Sequence, residues 1–107
     1  MPNELALEKY QIRLSSKTSQ TVEGEVCFKV FGIRKIKEGS DRIAIDHQPT
    51  GCRIGLVPTP RVARTVILEL MQLGDWKFKR MTKHIRANLE PRVTAILVAA
   101  QSEVKHA

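Results

Sequence analysis

Residues 42–57, RIAIDHQPTGCRIGLV, read as two strands joined by a tight turn, and that reading sets the fold class. Arg42–His47 and Cys52–Val57 supply the arms, and Gln48-Pro49-Thr50-Gly51 supplies the turn. Pro49 presets φ for the second turn position, and Gly51 can take the left-handed conformation that closes a short hairpin. In a regular register Ile43 and Ile45 share a face with Ile54 and Leu56.

Upstream, Thr21–Phe31, TVEGEVCFKVF, alternates with period two. Val22, Val26, Phe28 and Val30 point one way, and Glu23, Glu25, Cys27 and Lys29 the other, so the stretch reads as a single strand with an acidic outer face. Gly32 permits a bend before Ile33–Lys37, and Glu38-Gly39-Ser40-Asp41 has the composition of a turn. Lys9–Leu14 offers a fourth strand through Tyr10, Ile12 and Leu14, in competition with a helix over Glu4–Lys9. The sheet part covers about residues 9–57 as an antiparallel meander of three or four strands.

After Val57 the period becomes helical. Thr59 is an N-cap with Pro60 at the first helical position. Val62, Val66, Ile67, Leu70 and Met71 form a stripe, widened by Leu68 and Leu73, and Gly74 ends the helix. Residues 76–89, WKFKRMTKHIRANL, read as a second helix: Phe78, Met81, Ile85 and Leu89 fall in one arc, and cations cover the rest. Asn-Leu-Glu-Pro at 88–91 breaks the pattern and restarts it as a third helix. Val93, Ile96, Leu97, Ala100 and Val104 make one face of it, while Ala95, Val98 and Ala99 make the opposite side apolar too. The expectation is an α+β fold in one domain, residues 1–107, with three C-terminal helices (about 59–105) on one face of the sheet.

A hydrophobic share of 42% with 27% charged residues is that of a globular chain, which excludes wholesale disorder. The net charge of +7 is uneven: residues 1–28 carry 3 Lys or Arg against 4 acids, 29–58 carry 6 against 3, and 59–107 carry 9 against 4. Clustered positive charge steers a polyanion, which points to DNA or RNA, or to an acidic protein surface. Cys27 and Cys52 are the only cysteines and the N-terminal residues lack the apolar core of a secretory signal, so a cytoplasmic location is expected. The longest apolar run, Ala95–Ala100, is far below the roughly 18 residues a membrane span needs, so no membrane partner is expected.

For chemistry the sequence offers little. Asp46, His47 and Cys52 come near one another through the hairpin, but neighbours on a strand face opposite sides, so Asp46 and His47 cannot serve one nucleophilic site. Cys27, His47, Cys52 and His84 lack the paired spacing of a zinc site, and no phosphate-cradling loop, dinucleotide fingerprint or zinc-protease motif is present. No catalytic residue, metal or cofactor is assigned, and the chain is expected not to be an enzyme. A helix-turn-helix register hinged on Gly74 fails, because Arg80 and Lys83 fall where its second helix should be apolar.

The basic stretch remains. No acid lies between Trp76 and Asn88 to relieve its like charges, and unrelieved repulsion opposes a helix. Lys77, Lys79, Arg80, Lys83 and Arg86, flanked by Arg92 and extended by Arg61 and Arg64, are the candidate phosphate contacts, in a nucleic-acid-binding or regulatory protein. The rival is a protein-interaction module, a small accessory or inhibitor protein of the kind a mobile element carries. It would dock through the same patch or the C-terminal apolar helix, with Trp76 and Tyr10 as anchors. The two apolar sides of the Val93–Val104 helix also suggest a homodimer.

Overall fold

A computed structural model describes residues 6–15, 17–36 and 42–106, with side chains as far as Gln101. Over these described residues it is an α+β fold of five strands and two helices: β1 (Glu8–Arg13), β2 (Ser19–Cys27), β3 (Phe31–Lys35), β4 (Ile43–His47), β5 (Cys52–Val57), α1 (Pro60–Met71) and α2 (Lys83–His106). The strands form one antiparallel sheet in sequence order. The architecture differs from the sequence expectation by one or two extra strands and one fewer helix.

The extra strand arises because the alternating run 21–31 is two strands and a turn. Phe28 and Lys29 take φ of 54° and 63°, and the Val30 N–H donates to the Cys27 carbonyl at 3.2 Å, closing a tight hairpin. Positive φ at both central residues gives the turn a twist that matches the flanking strands. The faces also invert relative to expectation. Glu25 and Cys27 pair with Ile33 and Phe31 and so lie on the helix-covered face, while Phe28 stands at the hairpin tip, 56% exposed. The competing helix over residues 4–9 lies partly outside the described residues, and its last two positions, Glu8 and Lys9, begin β1.

The hairpin of residues 42–57 forms with Gly51 at φ 74° and its N–H on the His47 carbonyl at 2.7 Å. An irregularity opposite Ile45 and Asp46 shifts its register: Ile43 and Ile45 pair with Val57 and Gly55, and Leu56 pairs with Ala44 on the other side. The expected sharing of a face by Ile43, Ile45 and Leu56 is therefore corrected, because one extra residue on β5 reverses the alternation beyond it.

One face of the sheet carries Phe31, Ile33, Ile43, Ile45 and Val57 against Ala63, Val66, Ile67 and Leu70 of α1. On α1, Thr59 Oγ1 accepts the Val62 N–H at 3.1 Å as the N-cap. Leu68 of its expected stripe is instead 55% exposed. The other face is covered by β1, whose Tyr10 ring lies so close over Gly32 that a Cβ there would meet the ring Cζ at 2.5 Å. The sheet coils until the Arg13 N–H donates to the Gly51 carbonyl at 2.7 Å, bringing the first strand to the last hairpin.

Between the helices, residues 75–82 are not helical, which corrects the helix expected over 76–89. Gly74 takes φ 146°, Asp75 Oδ1 accepts the Lys77 N–H at 2.9 Å, and the Trp76 carbonyl is taken by His47. Backbone groups that a helix would use are thus engaged elsewhere. Thr82 then caps α2 by accepting the Ile85 N–H at 3.1 Å. The helix runs unbroken through Pro91, against the break expected at 88–91. Ala87, whose carbonyl loses its partner to the proline, is on the exposed side, where water can solvate it. Among the described residues no helix is long and apolar enough to cross a membrane.

Candidate functional site

The segment 75–82 is held by its aromatic residues and leaves its cations outside. Trp76 is 4% exposed, and its indole N–H donates to the Leu70 carbonyl at 2.6 Å, satisfying an end group of α1. Its ring meets Phe31 edge-on at 5.2 Å, and Phe78 lies 4.6 Å from the His47 ring. His47 is fully buried at the centre. A carbonyl can only accept, so Nε2 donates to Trp76, and Nδ1 accepts the Thr50 hydroxyl at 2.8 Å. Burial holds its pKa below the ordinary imidazole value, opposed by the bond to Trp76.

With both nitrogens engaged, His47 has none left to act as a base for Cys52, the residue it faces across the hairpin. Asp46 points to the opposite side, as strand geometry requires, and accepts from the Tyr10 hydroxyl and from Arg34 Nε, each at 2.7 Å. Burial and the Asp46 carboxylate push the Tyr10 phenol far above its usual range, so it stays a donor. The thiol of Cys27 is pushed up to about 11 by burial and then by Glu25, which leaves it protonated and a poor nucleophile. Among the described residues no three of His, Cys, Asp or Glu converge as metal ligands.

The candidate cations separate into groups. Lys77, Lys79 and Arg80 are exposed on the irregular segment, and Lys83 and Arg86 follow, exposed, in the first turn of α2 and three residues apart on one face. That first turn contains no acid. Cations at the positive end of a helix are unfavourably placed, whereas an anion there is stabilised. Arg92, nine residues after Lys83, is about 180° around the helix and does not join this face. Arg61 is exposed at the start of α1. Arg64 leaves the set: its Nε and Nη2 bind Glu25 at 2.7 and 2.8 Å across the edge of the sheet. The same pair reduces the acidic sheet face to Glu23, since Glu25 is only 17% exposed along its side chain.

Beside the basic segment a cleft of about 310 Å³ opens between β5 and α2. Ile54, Trp76, Met81, Leu89, Val93 and Leu97 make its apolar lining, and Arg53, Arg86, Glu90 and Thr94 its polar part. Arg53 is not a candidate on sequence grounds, because the role comes from the bulged β5 lying against α2, a long-range packing that no local pattern encodes. Comparison with protein-family models, curated proteins and solved structures returns no match.

Proposed function

We propose that this is a small, non-enzymatic nucleic-acid-binding or regulatory protein that attaches to phosphates through residues 77–86. The observation that carries the reading is the exposed run Lys77, Lys79, Arg80, Lys83 and Arg86 leading into the acid-free first turn of a long helix. Residues 77–86 contain no acid to relieve the repulsion among these cations, and a bound polyanion relieves it. Arg61, at the start of α1, and Arg92, on the opposite side of α2, contribute long-range attraction. Base reading forms no part of the proposal, since phosphate contacts carry no sequence information.

Docking on an acidic protein surface would use the same cations. The anchors expected for that role, Trp76 and Tyr10, are 4% and 6% exposed and serve the interior, which favours the nucleic-acid reading. On α2 the side chains of Val93, Leu97 and Ala100 pack inward, while Val98 is 63% exposed between exposed Ala95 and Ala99, which supports self-association through this helix in a homodimer. The test is fluorescence anisotropy with single- and double-stranded DNA and RNA at several salt concentrations. The reading requires binding that weakens steeply with salt, and its absence for all four ligands would overturn it.

A further inference from the structure

The cleft between β5 and α2 has two chemically different parts, and we propose that it binds a small amphipathic acid. The hydrocarbon body of a carboxylate lies along Ile54, Val93 and Leu97, and its head is held by Arg53 and Arg86. A volume of about 310 Å³ is at the lower end of small-ligand sites, enough for one short-chain or single-ring molecule. Arg53 stands on the β5 wall and Arg86 on the α2 wall, both exposed, and neither forms an ion pair with a described residue. Among the described residues of the lining Glu90 is the single acid, so there two cations face one anion.

The interior selects against the other candidates. Both nitrogens of His47 are already bonded, and the Cys52 thiol is a weak partner, so a nucleobase set against these two residues gains no strong hydrogen bond from them. A neutral hydrocarbon would leave the two guanidinium groups unused, and inorganic phosphate would leave the apolar lining uncovered. The proposal does not rest on the nucleic-acid reading, although Arg86 belongs to both sites.

Trp76, the only tryptophan, lines the cleft and reports its occupancy through its own fluorescence. The full chain is titrated with octanoate, octan-1-ol, inorganic phosphate and adenosine monophosphate, with calorimetry for stoichiometry. Octanoate is expected to bind one to one, at least tenfold more tightly than octanol, while phosphate leaves Trp76 emission unchanged. Arg53→Gln and Arg86→Gln each weaken octanoate by about tenfold, the value of a charge-assisted hydrogen bond, and leave octanol unaffected. Both substitutions are at exposed positions, and an unchanged thermal melt confirms the fold. No octanoate binding, equal affinity for octanol, tighter binding of adenosine monophosphate, or arginine variants that bind octanoate like the parent would each overturn the proposal.

Discussion

The hydroxyl of Tyr10 donates to Oδ2 of Asp46 at 2.7 Å, joining β1 to β4 across the inside of the coiled sheet, although the two strands are not neighbours in it. Arg34 Nε binds the same oxygen from β3, and Oδ1 is buried with no hydrogen-bond partner among the described residues. Asp46 is fully buried, and the Tyr10 hydroxyl and Arg34 Nε are the donors that satisfy Oδ2 there.

Tyr10→Phe keeps the ring over Gly32 and removes one donor, and is expected to destabilise the fold by roughly 1–3 kcal/mol. Asp46→Ala strands Arg34 as well and is expected to cost roughly 3–5 kcal/mol. Urea unfolding midpoints check both, with unchanged slope showing that stability alone has altered. A Tyr10→Phe midpoint equal to the parent's would show that the bond does not hold the sheet closed.

Stability should fall as pH drops, first through His47 and then through Glu25. His47 is neutral in the fold with its pKa held below 6.5, so as pH drops below about 6.5 the unfolded chain takes up the proton first. Stability then declines, by at most about 1.4 kcal/mol per pH unit, until the folded His47 also protonates. Glu25 is different: hydrogen bonds from Arg64 hold its carboxyl below the ordinary 4.5, so its contribution is intact above that value and is lost as pH falls through the folded pKa. Unfolding midpoints across this range should show the first decline in both the parent and Glu25→Gln, and a smaller second decline in Glu25→Gln than in the parent. A midpoint that stays flat from pH 7 to 5 would contradict the buried neutral imidazole.

The hairpin at Phe28 and Lys29 puts two non-glycine residues at positive φ, a conformation that Asn and Gly accept with less strain. Replacing them by Phe28→Asn and Lys29→Gly together should stabilise the protein by about 1 kcal/mol, raising Tm by about 4 °C or more. Loss of stability in the double variant would mean that the exposed Phe28 makes a contribution beyond the turn.

These residues also mark how far the sequence is legible. The turn at 48–51, the cap at Thr59 and the opposed directions of Asp46 and His47 are local properties of Pro, Gly, Thr and strand pleat, and each can be read directly. The hairpin at 27–30 is hidden because neither central residue is of the type such turns select, so the alternation runs on through it. The run 76–82 carries helical periodicity, but the His47–Trp76 bond that diverts its backbone spans 29 residues. Among the candidate cations, charge is readable from composition, whereas the pairing of Arg64 with Glu25 and the placement of Arg53 depend on which elements pack together.

Phosphate contact by residues 77–86 is decided by the salt dependence of DNA affinity in the parent and in the triple variant Lys79→Ala, Arg80→Ala, Lys83→Ala. All three side chains are exposed, so the fold should survive the change. The triple variant should bind duplex more weakly, with a plot of log affinity against log salt that is shallower by about 0.9 for each phosphate it no longer neutralises, or about 0.7 on single strands. The same affinity and the same slope in parent and variant would contradict it.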